Sequence, residues 1–415
     1  MSKPFLRWML LLLRYGLCVV AIAWLVHTVP WYDYVRLTGP KGPMVRLVEQ
    51  PRGDEFVILR DGRQETIPLS AVHRIDVNGQ SVPEIERGIA TVVPKTDKWL
   101  ALWAIIIFIP VIAIQSWRLV VMLAVQDVRL GLWPATKLTV AGNFFNFALP
   151  GTTGGDLIKA YYLTHYTHLK TEAVTTVFLD RAIGLFGLVM LAGAAILFTS
   201  DPSQFGQLIV TLLVICAVLG AGCIVVFSRR IRGVLRLKEL AARLPMGDQL
   251  LRVGRATVAM RHHKLLIVVS LLMTFVLQGI CMFSAAIMAH ALGMEGGWSH
   301  YFVYVSIGFL IAAIPIAPPQ AFGVLEYFYV KFFTGGALHN DPSQAVALAL
   351  AVRLIQLVWA LPGVLVPLLG AHLPSKAQLA ELEVQPDAAA NTADAVTNAG
   401  AAVPEAAAAR LVEPP

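Results

Sequence analysis

Residues 143–162 read NFFNFALPGTTGGDLIKAYY. Two aromatic-rich helical turns run into Pro150, then Gly151, Gly154 and Gly155, and then Asp156 and Lys159 before the chain turns apolar again. Proline and clustered glycines interrupt a helix, and interrupted backbone at membrane depth is tolerated only where protein or water surrounds it. Two charges beside such a break therefore call for a polar cavity inside an otherwise apolar run.

The rest of the chain supplies that setting. Its 415 residues are 57% hydrophobic and only 14% charged, with a mean hydropathy of +0.68. No soluble domain of that composition hides its apolar residues from water. Several windows exceed the ~18 to 20 apolar residues that cross a bilayer, so repeated spanning helices are expected. Cys18, Cys216, Cys223 and Cys281 all fall in apolar spans, where they read as small buried hydrophobes rather than a disulfide or metal set.

Lys3 and Arg7 precede a first apolar run, residues 8–29, with Arg14 near its cytoplasmic end. Ala21 and Ala23 resemble a signal-peptide cleavage pair, but the run is long and Trp24 sits beside them, so a retained anchor (1–29) is expected. Residues 30–98 are polar and turn-rich. EFVILRDGRQETIPL turns at Asp61 and Gly62, and RIDVNGQSV turns at Asn78 and Gly79, which predicts a small extracytoplasmic β-rich domain. Its basic residues do not contradict that side, because folded loops longer than ~60 residues translocate largely regardless of charge.

Residues 99–124 are expected to cross inward, 174–199 outward with Asp180 and Arg181 embedded, and 207–227 inward again. The next connection packs Arg229, Arg230, Arg232, Arg236, Lys238, Arg243, Arg252, Arg255, Arg261 and Lys264 together, a strong mark of the cytoplasmic side. Its apolar residues recur at helical spacing, as in amphipathic helices on the leaflet surface. Residues 265–292 then cross outward, 299–333 form a second Pro- and Gly-broken stretch, and 343–371 cross inward. The Ala-rich tail, 372–415, reads as disordered and cytoplasmic.

The two broken stretches differ in their flanks. Arg129, Lys137 and Lys170 surround the first, whereas EGGWSH and GGALHNDPSQ around the second carry neither Lys nor Arg. Each break, the second at Pro318, Pro319 and Gly323, is therefore expected at the tip of a re-entrant hairpin, one entering from each side. The flanking crossings match in inverted order, as in an inverted-topology repeat whose discontinuous helices build a site near the midplane. The expected fold is an all-α polytopic membrane protein of about six spanning helices plus two re-entrant hairpins, with the β-rich insertion. Gly155 and Asp156 echo Gly323 and Glu326, and Arg181 echoes Arg353.

An ionised residue at the middle of a spanning helix costs ~2.5 to 3.5 kcal/mol, so these groups must pair or line a wet cavity. Salt bridges locking the bundle, Asp156 with Arg181 for instance, are one reading. A substrate site is the other. Arg118, Lys159, Arg181 and Arg353 offer cations, and free amides at the start of the half-helix after PGTTGG favour an anion such as phosphate. Asn143 and Asn146 share a helix face and suit a headgroup, or equally a helix–helix hydrogen bond. Asp156 and Glu326 suit a cationic headgroup part or a coupling proton. With Asp180, these nine residues form the candidate substrate site for a phospholipid or polyprenyl-phosphate headgroup.

NFFNFALPGTTGGDLIKAYYL, TVFLDRAIGL, PPQAFGVLEYFYVKFF and ALALAVRLIQLV, in that order, resemble the lysylphosphatidylglycerol synthase transmembrane region, also called the flippase-like domain. The likeness covers most of residues 99–371 and falls on Asn143, Pro150, Gly154, Gly155, Asp156, Asp180, Arg181, Gly323, Glu326 and Arg353. It implies a bacterial cytoplasmic-membrane protein that moves lipids between leaflets, aminoacylated phosphatidylglycerol in the best-known members; the distribution of Lys and Arg puts both termini on the cytoplasmic side. Lys159 stands where the family often has Arg, and PPQAFG replaces a more Gly-rich turn. The soluble aminoacyl-transferase domain is not expected, and the β-rich domain lies outside the common pattern.

An intramembrane enzyme acting on a lipid carrier is the competing class. The chain shows no HExxH, no DxD-type pair and no nucleophile with an evident base, so neither a metal nor a cofactor is expected. His165 and His168 flank the first hairpin and are more simply interfacial bystanders. A third class is an accessory scaffold whose external domain binds an envelope partner. No feature points to nucleic acid.

Overall fold

The computed structural model describes residues 29–39, 42–49, 55–60, 62–77, 80–126, 128–148, 154–167, 170–199, 264–313, 319–335 and 340–368, with scattered positions between 16 and 27, between 205 and 217, and at 338. Most of the runs 8–29 and 207–227, the basic connection up to residue 263 and the tail lie outside them, as do the predicted tip residues Pro150, Gly151 and Pro318.

Seven short strands come first: β1 Tyr34–Arg36, β2 Met44–Leu47, β3 Glu55–Arg60, β4 Arg63–Pro68, β5 Arg74–Val77, β6 Gln80–Pro83 and β7 Ile85–Glu86. Five form an antiparallel sheet in the order β4-β3-β2-β1-β7, and β5 pairs with β6. Both predicted two-residue turns are where the sequence places them, since Arg60 pairs with Arg63 and Val77 with Gln80. Alternation along β3 turns Phe56 and Ile58 inward onto Val35, Leu47 and Val72.

The remainder is helical: α1 Lys98–Ile107, α2 Ile109–Ala124, α3 Leu132–Ala148, α4 Gly154–Leu163, α5 Lys170–Leu197, α6 Lys264–Ala291, α7 Trp298–Ala312, α8 Val324–Phe333 and α9 Pro342–Ala360. Asp97 caps α1 by accepting from the Trp99 and Leu100 amides, which satisfies two of the helix's unpaired donors. Four stretches among the described residues are long and apolar enough to cross a membrane: Lys98–Ala124, Glu172–Leu197, Val268–Ala291 and Pro342–Val364. Large apolar side chains face outward along them, Leu197 at 81% exposure and Leu272 at 61% among them. An apolar surface of that kind fits lipid and not water.

The predicted breaks are present. α3 ends at Ala148 and α4 starts at Gly154, while α7 ends at Ala312 and α8 starts after Gly323. Between α7 and α8 the chain makes a short turn, Pro319–Ala321, in which Gln320 and Ala321 both hold φ of +52°. Glycine sets the geometry of both pairs. A Cβ on Gly155 would stand 1.9 Å from the Gly142 carbonyl oxygen, so α3 and α4 lie together only because that position is bare. Gly323 caps α8 at φ +80°, a conformation L side chains resist.

One apolar core joins α1, α5, α6, α7, α8 and α9, with Tyr301, Tyr329 and Phe333 wholly buried in it. A second joins α2 to α5 through Leu119, Leu123, Ile158 and Phe178. The strands are tied to the bundle where the Ser343 hydroxyl, at the start of α9, donates to the Arg87 carbonyl. The Asp97 amide donates to the Ala291 carbonyl at 2.9 Å, joining α1 to the end of α6.

Candidate functional site

The two broken pairs meet α2, α5, α6 and α9 around a cavity of about 300 Å³. The nine predicted site residues divide into three sets around it. Asn143, Asn146, Arg181 and Arg353 line the cavity. Asp156 and Glu326 each hold one of those arginines. Arg118, Lys159 and Asp180 lie elsewhere, in a separate buried cluster.

In the first half, Asp156 occupies the first turn of α4 and forms a salt bridge with Arg181 of α5. The Gly155 amide donates to Asn146 Oδ1 at 3.0 Å, tying the start of α4 to the end of α3. The second half repeats the pairing with different residues. Glu326, in the first turn of α8, is 0% exposed and is forked by Arg353 of α9. Arg353 also donates to the Gln320 carbonyl and the Ala321 carbonyl, each at 3.1 Å, and its guanidinium lies 4.3 Å over the Phe322 ring. It is the clamp on the left-handed turn.

These contacts change the expected anion chemistry. One of the amides after PGTTGG that were expected to be free for phosphate, that of Gly155, has an internal acceptor in Asn146. In the second half the Gly323 amide is held in the same way by the Glu326 carboxylate at 2.8 Å. The carboxylates expected to meet a cationic headgroup are likewise engaged by arginine.

Asp180 sits 2.8 Å from Arg118 Nε, in ion-pair contact but off the line of a hydrogen bond, and Lys159 Nζ is 3.7 Å away. Arg118 donates to Thr274 Oγ1 at 2.7 Å. This cluster bolts α2, α4, α5 and α6 together at a point where all three charged groups are buried. Of the two readings offered for a charge at membrane depth, its geometry is that of a lock. His165 lies at the end of α4 with its ring against Tyr161, their centroids 4.8 Å apart. His168 is outside the described residues.

Sequence reasoning missed four polar lining residues: Gln115 of α2, Gln278 of α6, Gln320 of the turn and Gln356 of α9. Gln115 Oε1 accepts from Asn143 Nδ2 at 2.9 Å, and Gln320 Nε2 donates to the Asn146 carbonyl at 2.8 Å, bridging the two breaks. A scan for uncharged amides within apolar runs would have found them. Gln115 and Arg118 are three apart on α2, yet one faces the cavity and the other the dry cluster. Apolar residues make up the rest of the wall, Phe108, Leu277, Phe309 and Trp359 among them, with Trp359 Nε1 donating to the Ile105 carbonyl at 2.9 Å.

Fold and cavity define a polytopic helical membrane protein with a chamber, lined in part by amides and arginines, where interrupted helices meet. The family model described as Lysylphosphatidylglycerol synthase TM region matches residues 87–363, two thirds of the chain, and the chain belongs to that family. The match begins directly after β7, so the strands precede it and every cavity residue lies within it. Comparison with curated proteins and with solved structures returns no match.

Proposed function

We propose that this protein moves a phospholipid or polyprenyl-phosphate-type lipid between membrane leaflets and performs no covalent chemistry. In this reading the pairs α3–α4 and α7–α8 are re-entrant hairpins entering from opposite sides, related as halves of an inverted repeat. The strands then lie outside, and both termini and the basic connection lie on the cytoplasmic side of a bacterial inner membrane.

The observation that carries the proposal is the cavity itself, a chamber of about 300 Å³ at two interrupted helices that gathers six carboxamides and two arginines inside an otherwise apolar bundle. A headgroup entering it exchanges water for carboxamides and guanidinium edges, while its acyl chains stay in the bilayer. That lowers the cost of carrying a polar group through hydrocarbon, which is what a translocator must do. The salt bridges Arg181–Asp156 and Arg353–Glu326 hold the interrupted ends at the chamber in matching ways. The echo between the halves supports the repeat.

Purified protein in vesicles carrying a fluorescent phospholipid tests this. Addition of a membrane-impermeant quencher reads the rate at which inner-leaflet lipid reaches the surface. Exchange well above protein-free vesicles is expected; exchange at the protein-free rate for every anionic lipid tried removes the transport reading. The strands preceding the family match favour a second reading, an accessory scaffold for cell-envelope assembly, which predicts partner capture without exchange.

A further inference from the structure

Among the polar residues that line the chamber, neutral amides outnumber charged groups. Gln115, Asn143, Asn146, Gln278, Gln320 and Gln356 come from five separate elements and converge on one space. The ionised groups beside them form matched pairs, Arg181 with Asp156 and Arg353 with Glu326. An ammonium-bearing headgroup would need a carboxylate turned toward it, and both carboxylates are turned to arginine. A bare phosphate would need cations and has no use for six amides.

A carboxamide presents a donor and an acceptor side by side, and a hydroxyl does the same. Two of the six amides, Asn146 and Gln320, are joined to the backbone by a side-chain bond described above, and Asn143 and Gln115 are joined to each other. Gln278 and Gln356 make no hydrogen bond to any described residue, although both sit in spanning helices where an unsatisfied amide is costly. They come from two packed spanning helices, α6 and α9. Both glutamines are only part-buried, so water can serve them in the open chamber, and a ligand that displaces that water must bring both donors and acceptors.

Resting on the transport reading above, we propose that the chamber recognises a polyhydroxylated headgroup, a sugar or polyol carried on a lipid phosphate, with Gln278 and Gln356 as its hydroxyl-reading residues. The phosphate lies at the Arg181 edge and the hydroxyls reach across to the amides. The chamber volume is at the small end of ligand sites, about 300–1,000 Å³, which admits a headgroup and leaves the acyl chains outside.

The experiment uses the full chain in detergent with four lipids of matched acyl chains: phosphatidylinositol, phosphatidylglycerol, phosphatidic acid and phosphatidylethanolamine. Retained lipid is counted by native mass spectrometry. Phosphatidylinositol and phosphatidylglycerol are expected to be held about fivefold or more above the other two, the worth of one or two neutral hydrogen bonds. Gln278→Leu and Gln356→Leu remove no scaffold bond and should fold, and each is expected to bring that preference down toward parity. Equal retention of phosphatidic acid and phosphatidylinositol overturns the proposal, as does a preference that survives both substitutions. Glycerophosphoinositol, the headgroup without chains, should displace the lipid weakly; displacement as strong as by phosphatidylinositol overturns the lipid-borne part. Selective retention without leaflet exchange sinks transport and leaves hydroxyl recognition, whereas equal retention with rapid exchange of all four does the reverse.

Discussion

Arg353→Ala separates a structural arginine from a substrate ligand. In the parent protein Arg353 is 5% exposed and holds the wholly buried Glu326 carboxylate together with the carbonyls of Gln320 and Ala321. Removing it leaves an uncompensated charge in the core, which costs about 3–5 kcal/mol. It also releases two residues at φ +52°, each strained by about 1–3 kcal/mol when nothing holds it. Such a loss is a large share of the roughly 5–15 kcal/mol available to a folded protein. Adding Glu326→Gln removes the orphaned charge, and the double variant should be about 2–3 kcal/mol more stable than Arg353→Ala alone. The remaining deficit reflects the two carbonyls that lose their donor. Equilibrium unfolding of the purified protein in SDS titrations, followed by tryptophan fluorescence, measures the cycle. A double variant no more stable than the single one would show that neutralising Glu326 is not what Arg353 does.

Gly155→Ala forces a Cβ onto the Gly142 carbonyl and should destabilise the α3–α4 pair by about 1–3 kcal/mol, whereas Gly184→Ala, with nothing within 4 Å, should be neutral or gain up to about 1 kcal/mol. The same unfolding assay compares them, and equal effects would contradict the close approach. In the buried cluster, Arg118→Met should cost about 3–5 kcal/mol and Lys159→Met less than half of that, because Arg118 is 2.8 Å and Lys159 3.7 Å from Asp180. The reverse order would refute the assignment of Arg118 as the principal partner. Burial pushes the Asp341 carboxyl, just before α9, from its ordinary 3.8 up to about 6, assisted by Glu86 and Asp33 and opposed by the Arg87 amide and charge. The folded state then binds the proton more tightly than the unfolded chain, so this contribution to stability is present below pH 4 and is lost as pH rises through about 6. Asp341→Asn should flatten the difference in melting temperature between pH 5 and 7.5, and an unchanged difference would rule out the effect.

Much of this organisation was legible because it depends on local chemistry. Asp61 and Gly62 announce a two-residue hairpin wherever alternating residues flank them, and Arg60 does pair with Arg63. The apolar runs announce Lys98–Ala124, Glu172–Leu197, Val268–Ala291 and Pro342–Val364 by length alone. The salt bridge of Asp156 with Arg181 was legible as one of two readings, since a charge in hydrocarbon needs a partner and few are in reach. Which charges would share a site was not legible. Arg118 and Asp180 looked like members of the same constellation as Arg181, yet one residue of sequence, about 100° around α5, turns Asp180 into the dry cluster and Arg181 to the cavity.

The same physics explains why the charges drew attention and the glutamines did not. An ion at membrane depth must be neutralised by a neighbour, and the partner that makes it tolerable also occupies the donors or acceptors that would have served a ligand. Arg353 shows this in full: its guanidinium bonds to Glu326 and to two backbone carbonyls, and its side chain is 6% exposed against 24% for Arg181. A carboxamide costs less to leave open, so it stays available at the surface of the cavity. The residues most visible in an apolar sequence are therefore the ones most committed to the scaffold. The uncharged amides three residues from them, Gln115 beside Arg118 and Gln356 beside Arg353, line the cavity.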